Sequence, residues 1–248
     1  MIRDHRDVIN IYQTLYKSFG PQHWWPGETP FEVVVGAVLT QNTAWRNVEK
    51  AIENLKKAGS LSLDKFYKMP VKKLAKLIRP AGYFNVKASR LKALASWLKS
   101  ICGGRLTHLE KIKKDKLRSL LLDVYGVGPE TADSILLYAL NKKSFVIDAY
   151  TRRIFSRHGF ISGSESYDTI KKFFEQILPK SEKIYNEFHA LIVKLGKDYC
   201  RKKPLCSICP LQEDLMKFMN PSSGTGAPGQ VKKENRWKAI QGASVRNF

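Results

Sequence analysis

Residues 121–156 read LLDVYGVGPETADSILLYALNKKSFVIDAYTRRIFS. Two features stand here in a fixed relation. A tight turn, Gly126-Val127-Gly128, separates two apolar helical segments, and one acidic residue, Asp148, follows a short apolar run and precedes another helix. Glycine lacks the Cβ that would block a positive φ or the close approach of another backbone. Pro129 suits the first position of the next helix, where a missing N–H leaves no bond unmade. A turn of this kind can aim several backbone N–H groups at one anion, such as a phosphate. It can equally be a plain helical hairpin. The rest of the chain decides between the two.

The 248 residues carry 43 Lys and Arg against 22 Asp and Glu, a formal net charge of +21. That excess calls for a polyanionic partner. Nucleic acid is the first candidate and an anionic membrane the second, but no strongly amphipathic terminal helix supports the membrane. At 43% hydrophobic residues the chain can bury a core. It has no apolar run long enough to span a bilayer. The opening MIRDHRDVIN lacks the apolar segment of a signal peptide, so a cytoplasmic protein is expected. Three of the four cysteines, Cys200, Cys206 and Cys209, crowd into ten residues. In a cytoplasmic protein such clustering suggests metal ligation more than disulfides.

Upstream of the turn, Val8, Ile11, Tyr12, Leu15 and Phe19 have helical spacing. A Pro/Gly-rich loop then carries Trp24, Trp25 and Pro26. The tryptophans can plug the edge of a core or form a stacking wall for a flat ligand. The helix from Pro30 is apolar nearly all round and should be central. It ends at Gln41 and Asn42, amides that serve as caps more often than as ligand contacts. Thr43 is placed to cap the next helix, 44–57, with Trp45, Val48, Ile52 and Leu55 on one face. Pro70 splits residues 62–79 into two short helices. Residues 79–85 form a turn with exposed aromatics. Residues 86–101 form an amphipathic helix whose Lys87, Arg90, Lys92 and Lys99 lie mostly off the apolar stripe.

Asp115 is placed to cap a helix at 116–124. Helices follow at 130–140, from near Tyr150, at 166–178 and at 182–195, with residues 144–147 extended between the first two. Cys102 is remote from the other cysteines and should pack inside a helix. From about Asn220 a linker composition leads into a basic segment too poor in apolar residues for a core of its own. Residues 220–248 therefore read as a disordered basic tail. With almost no strand alternation and no repeats, the fold class is all-α, about ten helices.

Several motifs in order now resemble the helix-hairpin-helix DNA glycosylase superfamily, in its endonuclease III group. They are Leu39-Thr40-Gln41-Asn42-Thr43, Gly82-Tyr83-Phe84-Asn85-Val86-Lys87-Ala88, Gly126-Val127-Gly128-Pro129-Glu130-Thr131-Ala132, Val146-Ile147-Asp148 and the cysteine segment, across roughly residues 5–210. The resemblance implies two helical lobes with a cleft between them. Residues 25–135 would form a helical-barrel lobe holding the hairpin, and 1–24 with 136–199 the other lobe. Residues 200–219 would be the cysteine segment. The implied partner is double-stranded DNA with a damaged base, bound by a monomer.

The implied chemistry is base excision. Asp148 would be the catalytic carboxylate at the cleft, facing C1′ of a flipped nucleotide and stabilising a cation-like sugar or activating water. Tyr83 stands where the family places a wedge residue, and Gln41 where it fills the gap left by the flipped base. Asn42, Asn85, Lys87, Gly126, Val127, Gly128 and Thr131 complete the expected DNA-contacting set.

Two departures from the family pattern matter. Bifunctional members carry a lysine where Glu130 stands, and a carboxylate cannot form the Schiff base that their amine forms. The resemblance therefore implies a glycosylase using water, with weak or absent lyase activity. The family's [4Fe–4S] cluster has four cysteines with six, two and five residues between them. Here five residues lie between Cys200 and Cys206 and two between Cys206 and Cys209, and Leu215 holds the fourth place. A cluster with an incomplete or external ligand set and a residual thiol loop both stay open.

Trp24, Trp25, Pro26 and Trp45 resemble the base pocket of the 3-methyladenine glycosylase branch, and Glu130 is counted in the same expected pocket. Indole faces attract cationic alkylated purines by ~0.5–2 kcal/mol. The competing readings are an endonuclease III-like glycosylase and lyase on damaged pyrimidines, and a non-catalytic DNA-binding protein of the same fold.

Overall fold

In a computed structural model, residues 5–25 and 27–219 are described; Pro26 and the tail at 220–248 lie outside them. Among the described residues the chain is helical, with no strand. The helices are α1 His5–Phe19, α2 Pro30–Leu39, α3 Trp45–Lys57, α4 Leu63–Lys68, α5 Val71–Leu77 and α6 Phe84–Cys102. They continue with α7 Lys114–Leu122, α8 Pro129–Ser134, α9 Ala149–Arg157, α10 Tyr167–Ile177, α11 Glu182–Asp198 and α12 Gln212–Met219. A π-helical turn, Ile135–Ala139, extends α8. The fold is the all-α arrangement that the periodicity predicts.

Apolar burial divides into two cores. The first gathers buried residues from Phe31 to Leu140, from α2 through α8. The second joins Val8, Ile11, Tyr12 and Leu15 of α1 to buried residues between Leu137 and Leu211. The π-helical turn belongs to both: Leu136 and Ala139 enter the first core and Leu137 the second. A π-turn adds a residue per turn and so redistributes the faces that a helix presents. Here it lets one segment pack on α2 and on α11. α2 is buried along nearly its whole length, as an all-round apolar helix must be.

The two cores are also joined by a polar anchor. Asp133 is fully buried, and its carboxylate accepts from Arg118 Nε at 3.0 Å and NH2 at 3.1 Å, and from Ser144 Oγ at 2.6 Å. Lys171 Nζ lies 3.1 Å from the same carboxylate. The extended run 144–147 cannot satisfy its own backbone. Phe145 N donates to Glu175 Oε1 at 2.9 Å and Ile147 N to the Tyr167 hydroxyl at 3.2 Å.

Three local expectations are corrected. Lys87 does not face outward. Its side chain is buried, and Nζ donates to Leu39 O at 2.8 Å, Thr43 Oγ1 at 2.7 Å and Ala81 O at 2.8 Å. Three acceptors match the three donors of an ammonium, so Lys87 ties the end of α2 to the start of α6 and is not a surface DNA contact. Burial pushes its pKa down to about 8, with Arg90 adding repulsion. Thr43 does not cap α3, because its hydroxyl donates to Ala81 O and accepts from Lys87; Ala44 holds the cap position without a side-chain bond. Asp115 lies inside the first turn of α7, whose cap position is Lys113. There its charge still complements the helix dipole. Cys102 is buried in α6, as expected, with Sγ donating to Leu98 O at 2.8 Å.

Replacing Lys87 by Met takes the described donor from the Leu39 carbonyl, while Ala81 O keeps the Thr43 hydroxyl, and the expected loss in denaturant unfolding is about 2 kcal/mol. Lys50→Met, on the exposed side of α3, is expected to stay within about 0.5 kcal/mol of the parent. Equal losses for the two variants would contradict the structural role of Lys87.

Candidate active site

A cleft of about 1300 Å³ is lined by Trp24, Trp25 and Trp45, the hairpin 122–131, Asp148 and residues of α11 that include His189 and Lys197. The sequence-predicted residues Gln41, Asn42, Gly126, Val127, Gly128, Glu130, Thr131 and Asp148 all border it. Tyr83 and Asn85 are exposed at the start of α6 and are not among its described walls. Tyr83 is 73% exposed in a left-handed conformation with φ 46°.

The hairpin is built tightly. Gly126 has φ +83°, and a Cβ there would fall 2.1 Å from Arg90 Cγ. Glycine is therefore required by both conformation and space. Gly128 has φ −90° and open space around its missing Cβ. No fold contact demands glycine at Gly128, and the opening leaves room for something outside the chain. Val127 is buried, and its N–H already donates to Val124 O at 3.0 Å. Thr131 is buried as well and faces inward, where its Oγ1 accepts from Gln41 Nε2 at 2.9 Å. Gln41 Nε2 also donates to Gly126 O at 3.0 Å, while Arg90 NH1 donates to Gln41 Oε1 at 2.5 Å. The Gln41 amide thus braces the hairpin.

Asp148 stands at the cap of α9. Its Oδ1 accepts from Thr151 N at 2.7 Å and Thr151 Oγ1 at 2.8 Å. Its Oδ2 makes no hydrogen bond among the described residues and faces His189 Nε2 at 3.8 Å. Capping fixes the carboxylate, and the second oxygen is left at the cleft. Glu130, in the first turn of α8, is exposed. Its pKa is pushed up to about 7 by desolvation against the cleft wall and by Asp148, with Arg152 opposing. Because the residue as a whole is exposed, screening limits what this shift contributes to stability.

Trp25 meets Trp24 and Trp45 edge to face, while the Trp24 and Trp45 rings are tilted at 48° to each other. Ring centroids are 5.6 Å apart for Trp24 and Trp25, 5.8 Å for Trp24 and Trp45, and 5.1 Å for Trp25 and Trp45. Behind them, Tyr138 packs on Trp25 at 5.1 Å. The Lys197 ammonium sits 5.7 Å from the Trp24 ring centroid. It is the one lysine among the described cleft-lining residues.

Several site residues escape sequence reasoning. Tyr138 and His189 sit in apolar helical runs and read as core. Arg90 reads as a solvated charge on α6. The single available signal was a histidine between Phe188 and Ala190 on an otherwise apolar face.

The cysteine segment makes no four-thiolate cage. Cys200 is buried, Cys206 exposed and Cys209 half-buried around a small apolar pocket that includes Leu215. Among the described residues, no group of three or more His, Cys, Asp or Glu side chains is arranged to hold a metal ion. Cys200 Sγ instead accepts from Arg157 NH1 at 3.2 Å, and Cys209 Sγ from Leu211 N at 3.4 Å. Arg157 also donates to Arg201 O at 2.7 Å and Lys202 O at 3.2 Å, which staples the loop to α9. The residues present do not fit a [4Fe–4S] cluster, and no chemistry is assigned to one.

Comparison with known proteins matches residues 35–180 to the HhH-GPD superfamily base excision DNA repair protein model. A putative DNA repair glycosylase of Methanocaldococcus jannaschii is 52% identical over 208 residues, 83% of this chain and 94% of that protein. The H. pylori 3-methyladenine DNA glycosylase, solved bound to 1,N6-ethenoadenine, superposes with a TM-score of 0.67 at 32% identity, covering 79% of this chain and 98% of that one. An endonuclease III–DNA complex shares the fold, with a TM-score of 0.74 at 22% identity over 88% of this chain and 100% of the other.

Part of the Glu130 shift comes from Asp148. Asp148→Asn is therefore expected to lower the Glu130 pKa while leaving it above the ordinary carboxylate range, as carboxyl-carbon NMR titration would measure. A raised carboxyl holds its proton more tightly folded than unfolded. Its stabilising contribution is present at acid pH and is lost as pH rises toward about 7. An ordinary Glu130 pKa in the parent protein would contradict the geometry.

Proposed function

The chain is a base excision repair DNA glycosylase of the HhH-GPD superfamily, and we propose that it hydrolyses the glycosidic bond of flipped alkylated purines with water and stops there. One observation carries the reading: Asp148 keeps a carboxylate oxygen outside its capping bonds at a cleft that three indoles also line. The similarity to a 3-methyladenine glycosylase agrees with it.

As the bond to the base breaks, positive charge grows on the sugar. A fixed carboxylate oxygen in a partly desolvated cleft stabilises that charge and takes a proton from the attacking water. The electron pair of the broken bond leaves with the base. An alkylated purine already carries a positive charge, so it departs as a neutral molecule without an acid to protonate it. The indoles supply stacking area and electron-rich faces for such a base. Glu130 offers a carboxyl, not an amine, beside the hairpin, so no Schiff base forms there. The open face above Gly128 suits a phosphate passing over the hairpin, and the net charge of +21 suits a DNA partner.

The expected products from methylated duplex DNA are free 3-methyladenine and an intact abasic strand. Borohydride added during the reaction is expected to trap no protein–DNA adduct. An adduct would overturn the water mechanism, and an adduct absent from Lys197→Ala would assign it to that amine. Trp25→Ala is expected to slow release of the cationic base by about tenfold or more, and release of a neutral base such as hypoxanthine less, in proportion to the cation–π share. Equal losses would count against recognition of charge.

A further inference from the structure

We infer that His189 is a positioning residue: its Nε2–H and Asp148 Oδ2 together hold the water that attacks C1′. The inference rests on the glycosylase reading above and goes beyond it by assigning a second group to the reaction.

His189 is 5% exposed on α11, and its Nε2 is buried without a hydrogen-bond partner. An unpartnered polar atom at such depth is costly unless something outside the chain satisfies it. His189 lines the cleft, and its Nε2 faces Asp148 Oδ2 at 3.8 Å. That distance is too long for a direct hydrogen bond, but one water molecule can touch both atoms.

The neighbouring bond sets the direction of the donor. The Tyr138 hydroxyl lies 2.5 Å from His189 Nδ1. Tyr138 packs against Trp25, and the Trp24 indole N–H beside its hydroxyl can only donate to that oxygen. Its proton therefore goes to Nδ1, which leaves the ring hydrogen on Nε2, aimed at Asp148. Burial favours the neutral ring, and Asp148 opposes this only in part. A neutral imidazole suits the task, because it orients water without adding a second positive charge beside a cationic sugar.

The bridging water would accept a hydrogen bond from Nε2–H and donate one to Oδ2. Its remaining lone pair is then free for C1′. In the step, the water oxygen bonds to C1′, the C1′–N bond breaks with its electron pair leaving on the base, and the water proton passes to Asp148. His189 gains and loses nothing.

Three variants test this by single-turnover base release from DNA containing 3-methyladenine, at saturating enzyme. His189→Gln keeps an N–H near the Nε2 position, His189→Asn reaches only the Nδ1 position, and His189→Phe has neither. The Phe and Asn variants are expected to lose about tenfold to a hundredfold in rate. Gln is expected to recover most of that loss. All three should bind DNA holding a tetrahydrofuran abasic analogue within about twofold of the parent, because the lost interaction acts on water and not on DNA. A wild-type rate for Phe would overturn the inference, and so would equal losses for all three. If the parent releases no base at all, the glycosylase reading fails instead. Long-range proton–nitrogen NMR then decides the placement of the histidine. An Nε2–H tautomer whose resonance moves in Asp148→Asn supports it, and an Nδ1–H tautomer or an unmoved resonance overturns it.

Discussion

The bonds from Thr151 to Asp148 Oδ1 fix the rest of the site. They hold one oxygen of the carboxylate against α9 and so point the other into the cleft. Their geometry depends on how the chain arrives at the cap. Asp148 is extended, with φ −98° and ψ −178°, because residues 144–147 are held straight by Glu175 and Tyr167. That run is anchored at its start by Ser144, whose hydroxyl bonds to the buried Asp133. Asp133 lies on α8, the second helix of the hairpin. One continuous set of polar contacts thus relates the turn that would grip DNA to the carboxylate that would act on it. A carboxylate as buried as Asp133 is tolerable only with its charge partners Arg118 and Lys171. Loss of one partner would disturb the fold and the placement of Asp148 together.

The electrostatics of the chain differ between surface and cleft. The surface excess of Lys and Arg favours any polyanion. The cleft instead brings Glu130 near Asp148, whose charge disfavours ionisation of Glu130. The three indoles and the Tyr138–His189 pair complete the neutral part of the wall. A cationic base and an electron-poor sugar both suit such surroundings better than an anionic group does. The Lys197 ammonium over Trp24 shows that one indole face already accommodates a cation.

Much of this was legible in the sequence because it depends on local rules. Gly126 is dictated by a positive φ, Pro129 by the first helical turn, and Asp148 by its place before a helix. Other features depend on partners distant in the chain. Lys87 lies off the apolar stripe of α6 by periodicity. It is nevertheless buried, because carbonyls of Leu39 and Ala81 converge on it from two other turns. Thr43 loses its expected cap for the same reason, since its hydroxyl is drawn to that ammonium. Thr131 reads as a hairpin contact until Gln41 reaches it from another helix. His189 and Tyr138 were hidden in apolar runs, where a single polar residue has the spacing of core. Cysteine spacing could show that the fourth ligand is replaced by Leu215, but not that Arg157 would hold the loop.

The central claim is that the free oxygen of Asp148 drives base release. The most direct measurement compares the parent with Asp148→Asn for two quantities on the same duplex: affinity for an abasic analogue and the single-turnover rate of 3-methyladenine release. Asparagine keeps an oxygen able to cap Thr151 and removes the charge. The account predicts unchanged affinity, to within about twofold, and a rate lower by a factor of about a hundred or more. A rate close to that of the parent, with affinity retained, would contradict it.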